Sequence, residues 1–499
     1  MFKETALYGL SSMVGKFLNY LLVFVHTRYF MAAEYGQISE FYSYTGLLMV
    51  LFTLGLETGF FKFYNDAKSE YDKQKIYATA YWTMAASTLL LSSLGILFCN
   101  PIANYLEYPQ LSSMVIILFM ILAFDTLTTL PFAYLRQQNR PLKFVFIRLL
   151  NIGINILFSI FFLVVCPWLS ANGYGFVDLF YQREWGIYYV FVVNLVASVV
   201  TMLLLSNELK KVRWIFDNSI CVGLLRYGAP LILVGTAGII NDTFDRIMIK
   251  NLSQGSLDNR NELVGLYAAG IKVSVVITMF IQAFRMGAEP YFFKNADKQN
   301  SRSLYAEVMN VFVVLVCFIF LINCLYIDVW KLLIDERYYA GLVVVPIASL
   351  GRIFLGIYYN QSIWYKNTKQ TTIGAAIACA GAIITLLLNY FLIPKIGYLG
   401  AAISSTCTYF LMMLCSYFIG QKYYPIPYQL LKITSIFTWT IALFIVFTVS
   451  KSILFKSFEI QNTFISIVLA TVVLVLFVLI MYQMHFKEYV DTILNKKKN

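Results

Sequence analysis

Long apolar runs separated by short polar segments dominate this sequence. A helix that crosses a bilayer needs about 20 mostly apolar residues, and fourteen runs reach that length. Their approximate bounds are 7–31, 40–63, 77–99, 112–135, 144–166, 186–206, 222–249, 262–287, 304–327, 339–362, 371–393, 398–419, 430–450 and 463–484. The pattern therefore predicts an all-α polytopic membrane protein of about 14 transmembrane helices.

The distribution of Lys and Arg predicts how these helices are oriented. If the N-terminus is cytoplasmic, the inside segments hold twenty Lys and Arg residues and the outside loops hold eight. Positively charged residues concentrate in the cytoplasmic loops of membrane proteins. The charge bias therefore predicts an even number of spans with both termini in the cytoplasm.

Composition agrees with a membrane protein and disfavours several other classes. The chain is 60% hydrophobic and only 13% charged, whereas about a quarter of the residues of a soluble domain are charged. The net charge of +12 lies in short loops, so we expect no nucleic-acid partner. The eight cysteines form no Cys-x-x-Cys pair, and the two histidines are far apart, so we expect no metal site.

An octapeptide near the end of the second span recurs near the end of the eighth. Residues 55–62 read GLETGFFK and residues 287–294 read GAEPYFFK, with five identities at an offset of 232. Six helices separate the two copies, so both halves have the same orientation. The repeat predicts two parallel six-helix bundles, 1–210 and 211–425, related by a pseudo-twofold axis along the membrane normal. Residues 426–499 then form a C-terminal helix pair and a basic tail.

Polar side chains inside the spans supply the candidate site residues, because an ionisable group in a membrane usually faces a partner or a water-filled cavity. Cations and amides suited to an anionic substrate in a central cavity are Lys16, Arg148, Asn155, Arg246, Lys272, Gln282, Arg285 and Arg352. Acidic residues suited to a coupling cation or to gating are Glu57, Asp125, Asp242, Asp245 and Glu289.

Each of these residues also has a purely structural interpretation. Glu57 and Glu289 can pair with Lys62 and Arg285 and fix the helix ends, and Asp245 can form a packing salt bridge with Arg246. No catalytic motif or nucleotide-binding loop accompanies them. The sequence therefore indicates neither an enzyme nor a cofactor.

Several short motifs resemble a known superfamily of membrane exporters. The motifs are YGL at 8–10, EYG at 34–36, GLETGFF at 55–61, DR at 245–246, VGLY at 264–267 and LIP at 392–394. With the predicted span count and repeat, they resemble the multidrug/oligosaccharidyl-lipid/polysaccharide exporter superfamily. Within it, the chain is similar to the bacterial flippases of polysaccharide biosynthesis, which serve O-antigen lipopolysaccharide and capsule.

The resemblance implies a function and a location. A polyprenyl-diphosphate-linked oligosaccharide would move from the cytoplasmic to the outer leaflet of a bacterial inner membrane by alternating access. The implied partners are this lipid-linked oligosaccharide, membrane lipids, a coupling cation (H⁺ or Na⁺) and a polysaccharide polymerase. Three alternatives remain: a cation-coupled multidrug antiporter, a peptidoglycan-precursor flippase, and a membrane-embedded glycan polymerase or transferase with its site in the loop 167–185.

Overall fold

A computed structural model describes residues 14–15, 18, 20–294, 300–457 and 463–486, and within them the chain forms helices and no β-strand. The main helices are α1 (20–29), α2 (Ala32–Thr53), α3 (Leu56–Asp66), α4 (Glu70–Leu97), α5 (Ser112–Gln137), α6 (Pro141–Ile160), α7 (Tyr188–Leu204), α8 (Asn218–Thr243), α9 (Asp245–Leu252), α10 (Leu257–Lys294), α11 (Ser301–Leu325), α12 (Val344–Gln361), α13 (Thr371–Ile396), α14 (Tyr398–Tyr423), α15 (Leu430–Ser457) and α16 (Thr463–Met481). Short helical segments connect them at Cys99–Tyr105, Pro109–Leu111, Phe161–Val165, Cys166–Ala171, Gly175–Leu179, Arg183–Trp185, Ser206–Leu209, Ile327–Leu333, Glu336–Val343, Ile363–Asn367 and Tyr482–Phe486.

Twelve helical stretches of the described residues are long and apolar enough to cross a membrane. The helix α7 is apolar but shorter, with 17 residues. The predicted all-α polytopic membrane fold is therefore confirmed. Ten of the 25 residues of the first predicted span, 7–31, lie outside the described residues, and the count of fourteen and the pseudo-twofold axis stay predictions.

Two predicted spans are interrupted in the structure. The span 40–63 breaks between α2 and α3, where Leu54 and Gly55 both take left-handed backbone conformations with φ of 50° and 64°. A Cβ atom on Gly55 would lie 2.8 Å from the carbonyl oxygen of Gly228, so only glycine fits this close approach of α8. The span 222–249 is likewise divided, at Phe244 between α8 and α9.

Polar residues placed just before apolar runs begin two of the helices. The Ser69 hydroxyl accepts a hydrogen bond from the backbone N–H of Asp72 at the start of α4, and the Asp217 carboxylate accepts one from Ile220 at the start of α8. Such side-chain caps satisfy N–H groups that have no partner within the helix. Asp217 also accepts a hydrogen bond from Lys75 of α4, which holds the pKa of that carboxyl well below its usual range.

The described chain divides into two compact units. One comprises Met1–Gly265 with Thr385–Tyr398, and the other comprises Leu266–Ile384 with Leu399–Asn499. In the first unit, α4 packs against α5 and α3 around buried aromatic rings, and the rings of Tyr77 and Tyr134 stack with their centroids 4.4 Å apart. The bundle bounds predicted from the repeat, 210/211 and 425/426, stay predictions.

In the second unit, α11 is the helix around which its neighbours pack. Its buried side chains, among them Val316 and Phe320, contact α12, α15 and α16 in one apolar core. Phe447 of α15 and Phe477 of α16 are almost fully covered in that core. The two C-terminal helices therefore pack directly on α11.

A polar contact ties the same two helices to the segment that follows α11. The Asp328 carboxylate pairs with Lys451 of α15 and accepts a hydrogen bond of 2.6 Å from the hydroxyl of Ser466 on α16. Burial raises the pKa of Asp328, but the hydrogen bonds from Lys451 and Ser466 outweigh that effect and lower it below the ordinary value. The ionised carboxylate is therefore the form that the folded protein favours.

Replacing Asp328 with Asn is expected to destabilise the protein at neutral pH by about 1–3 kcal/mol, since Lys451 loses its charged partner. A carboxyl whose pKa is lower in the folded protein than in the unfolded chain stabilises the fold at pH values above its unfolded pKa of about 4. This contribution to the free energy of unfolding is lost as the pH falls through the folded-state pKa. The thermal midpoints of wild type and variant in detergent should therefore converge at acid pH. The exposed Glu336→Gln serves as the control; a constant difference at all pH values would contradict the prediction.

Candidate functional site

A group of charged and polar side chains lies near the C-terminal end of α10. Arg285 and Glu289, one helical turn apart, form an ion pair of 3.1 Å, and Lys366 donates a hydrogen bond of 2.8 Å to the same carboxylate oxygen. The Arg285 guanidinium lies over the Tyr359 ring, 4.5 Å from its centroid. We call Arg285, Glu289, Tyr359, Asn360 and Lys366 the Glu289 cluster. With two cations and one carboxylate, it carries a net charge of +1.

A small recess opens among these side chains, and one residue that lines it is a buried amide whose nitrogen has no hydrogen-bond partner. Asn360 lies on the recess wall and is 7% exposed, and its Nδ2 atom has no hydrogen-bond partner. A buried N–H group without an acceptor is costly. Two cations and a free donor around one recess are the groups that bind an oxyanion such as a phosphate.

A second ion pair in the first unit resembles the one made by Glu289. Glu57 of α3 pairs with Arg136 at the end of α5, and the Arg136 guanidinium lies 4.8 Å from the Phe61 ring centroid. Glu57 and Glu289 differ by 232 positions, and Arg136 and Lys366 differ by 230. Each pair thus joins helices that the predicted repeat treats as equivalent, although Glu57 and Glu289 both belong to the repeated octapeptide and the repeat stays a prediction.

The sequence predicted one partner of these carboxylates correctly. Glu289 pairs with Arg285 as expected, while the ion-pair partner of Glu57 is Arg136. Lys62, the expected partner of Glu57, lies instead over the Tyr227 ring, 4.5 Å from its centroid. Arg136 and Lys366 are absent from the predicted site because the predicted spans 112–135 and 339–362 leave both in cytoplasmic loops.

The candidates on α5 and α6 are Asp125, Arg148 and Asn155. Arg148 is electrostatically coupled to Asp125 and to the Glu57–Arg136 pair, and its guanidinium lies 4.2 Å from the Phe132 ring centroid. Asn155 donates a hydrogen bond of 3.1 Å to the carbonyl of Asn151 on its own helix. Arg148 and Asp125 thus belong to one charged region of the first unit, whereas the Asn155 bond stays within α6.

Asp242, Asp245 and Arg246 cluster around the break between α8 and α9. The Arg246 guanidinium pairs with the Asp245 carboxylate at 3.1 Å and reaches the carbonyl oxygens of Asp242 and Thr243. Asp245 and Arg246 are buried, and the Asp242 residue is exposed. This geometry fits the structural interpretation of Arg246, because its guanidinium satisfies carbonyls that the helix break leaves unpaired.

The remaining candidates lie in the second unit or outside the described residues. Arg352 of α12 is buried and lies 5.9 Å from the Tyr409 ring centroid. Lys272 and Gln282 lie along α10 and are partly covered. Lys16 lies outside the described residues. Among those residues, no group of three or more His, Cys, Asp and Glu side chains is arranged to hold a metal ion.

Comparison with known proteins assigns the chain to a family. Residues 1–296 match the family model described as polysaccharide biosynthesis protein, which is more than half of the 499 residues. The chain belongs to that family. It is also 23% identical over 300 residues to the Lsg locus putative protein 1 of Haemophilus influenzae. That alignment covers 59% of this chain and 66% of the relative, just under two thirds of its length.

Solved structures show which fold this family member adopts. The lipid II flippase MurJ in an inward closed conformation superposes with a TM-score of 0.68 at 15% identity, covering 96% of this chain and 99% of that chain. An inward-facing MATE-family multidrug resistance transporter of the MOP superfamily gives 0.58 at 12% identity, covering 84% and 94%. A MOP-superfamily transporter from Pyrococcus furiosus gives 0.57 at 14% identity, covering 84% and 95%. The chain therefore has the fold of MOP-superfamily transporters.

Proposed function

We propose that this protein is a flippase that moves a polyprenyl-diphosphate-linked oligosaccharide from the cytoplasmic to the outer leaflet of a bacterial inner membrane by alternating access. Membership of the polysaccharide biosynthesis family supports a glycan substrate, and the MOP-superfamily fold supports transport. The observation that carries the proposal is the Glu289 cluster, where Arg285 and Lys366 flank a recess with an unpaired donor on Asn360.

The chemistry of the substrate fits this cluster. A diphosphate and a glycan cannot cross hydrocarbon unaided, since burying their charged and polar groups without partners is very unfavourable. Cations that are partly shielded from water attract phosphate more strongly than exposed cations do. Glu289 holds both cations in place before the substrate arrives, and the diphosphate would replace that carboxylate as their partner. On the predicted orientation the cluster lies at the cytoplasmic end, where the substrate is loaded.

Deletion of the gene tests the proposal. We expect the surface polysaccharide to disappear while its lipid-linked repeat unit accumulates on the cytoplasmic side, measured by extraction of lipid-linked glycans and by their protection from an external glycosidase. Re-expression of the wild-type chain is the control. An unchanged surface glycan would sink the proposal, and altered drug sensitivity in that strain would favour the multidrug antiporter.

A glycan polymerase is the alternative from another class, and the same experiment separates it. The loop that was its candidate site forms the short turns Gly175–Leu179 and Arg183–Trp185, which carry Asp178 and Glu184. Loss of a polymerase would leave single repeat units on the outer surface. Loss of a flippase would leave them inside. The coupling cation and a polymerase partner belong to this proposal as further expectations.

A further inference from the structure

A fully buried ion pair lies in the first unit. Lys250 of α9 and Glu40 of α2 are each 1% exposed and 3.1 Å apart, and Lys250 also donates a hydrogen bond of 2.5 Å to the carbonyl of Leu106. The ammonium group lies 3.9 Å from the centroid of the Tyr108 ring. Glu40, Tyr108, Lys250 and Asn261 are called the Glu40 network.

The Tyr108 hydroxyl joins the ion pair to α10. It lies 2.7 Å from the second oxygen of Glu40 and 2.7 Å from the side-chain oxygen of Asn261, although it has one proton to donate. The Nδ2 atom of Asn261 is buried without a partner. Tyr108 thus faces two acceptors with one proton, while Asn261 has a donor without an acceptor. Rotating the Asn261 amide by half a turn satisfies all of these groups, because Nδ2 then donates to Tyr108 and Tyr108 donates to Glu40.

The backbones of α2 and α10 touch beside this network. A Cβ atom on Gly36 would overlap the carbonyl of Asn261, and one on Gly265 would overlap the carbonyl of Ala32. Small residues spaced four apart allow such a close crossing of two helices. The crossing places the backbone of Asn261 directly against α2, while its side chain contacts Tyr108.

The place of these contacts in the chain suggests what they do. On the predicted orientation, the start of α2, the 106–108 turn and the start of α10 all lie at the outer end. On the predicted repeat, Glu40 and Tyr108 belong to the first half, whereas Lys250 and Asn261 belong to the second. Alternating access would have to separate such contacts whenever the outer side opens.

A polar network suits a contact that opens and closes. Desolvation offsets most of the attraction within a buried ion pair, so the pair fixes the geometry of the contact without holding it tightly. When the two sides part, water hydrates both charges. An apolar contact of the same size would expose hydrocarbon instead.

We propose that the Glu40 network is an outer latch, which holds α2 and the 106–108 turn against α9 and α10 while the outer side is closed and which opens once in each transport cycle. The latch rests on the proposed alternating-access function, but its opening can be observed without any substrate.

A reporter thiol on α10 tests the latch in the full chain in membranes. Ser274 is completely buried, and residues 257–294 contain no cysteine. The peptide from α10 in a Ser274→Cys variant therefore carries a single thiol, which mass spectrometry can quantify separately from peptides that contain the native cysteines. In this background, Tyr108→Phe removes one hydrogen bond to a carboxylate and keeps the ring. We expect labelling by a membrane-impermeant maleimide from the outside to become about tenfold faster.

Two further variants make the result decisive. Tyr105→Phe removes a hydroxyl from a tyrosine that is 84% exposed and should leave the labelling rate unchanged. Glu40→Gln combined with Lys250→Met removes both charges, so no unpaired charge stays buried, and should accelerate labelling like Tyr108→Phe. Equal labelling of Tyr108→Phe and Tyr105→Phe overturns the latch. Faster labelling that occurs only in variants with a lower thermal midpoint would also overturn the latch. An unchanged surface glycan after gene deletion would instead refute the flippase, whatever the labelling shows.

Discussion

Export of the lipid-linked glycan should fall about a hundredfold or more when Arg285 and Lys366 are both replaced with Ala. Each charge-assisted hydrogen bond to a phosphate is worth about 1.5 kcal/mol or more, and 1.4 kcal/mol corresponds to a factor of ten. The double substitution also changes the net charge of the Glu289 cluster from +1 to −1, because Glu289 remains. The measurement is surface polysaccharide per unit of membrane-inserted protein in a deletion strain.

A matched pair of variants separates substrate binding from a structural role of the same residues. Lys422→Ala removes an exposed cation at the predicted cytoplasmic end of α14 and should leave export unchanged. Glu289→Gln raises the net charge of the cluster to +2 while both cations remain, so an anion site should retain export. If the cluster only fixes a helix end, Glu289→Gln and the double variant should both lower the thermal midpoint and the protein level. That result would contradict the assigned role.

The sequence predicted the elements well because apolar length is a property of each segment alone. The limits of α11, α14 and α16 lie within a few residues of the predicted spans. The break at Gly55 was not predicted, because its cause is the backbone of Gly228, 173 residues further along the chain. Such a contact leaves no trace in local hydropathy.

The candidate site was predictable only where partners are neighbours on one helix. Helical spacing placed Arg285 next to Glu289, four residues apart, and the pair is present. The second partner, Lys366, comes from another helix, and the preference of Glu57 for Arg136 over Lys62 is likewise a matter of tertiary packing. Periodicity cannot choose among cations that are equally available in sequence.

The Glu40 network was missed although part of its signal was in the sequence. Glu40 is the first residue of the predicted span 40–63, and Lys250 falls in a predicted outer loop. The small residues Ala32 and Gly36 on α2 and Gly265 on α10 were the detectable sign of a close helix crossing. That sign identifies two surfaces suited to contact, but the pairing itself is known only from the structure.

The close crossing of α2 and α10 is expected to tolerate no large side chain. Gly265→Leu would drive a side chain into the carbonyl of Ala32, and Gly36→Leu would meet that of Asn261. The obstructing atoms are helix backbone and cannot move to another rotamer, so the cost should be about 3 kcal/mol or more, at the upper end of overpacking effects. We expect little folded protein in the membrane, measured by fluorescence-detected size-exclusion chromatography and thermal midpoint. Gly238→Leu is the matched control, because a Cβ atom there meets nothing within 4 Å. Equal yields of Gly265→Leu and Gly238→Leu would show that the two helices do not cross so closely.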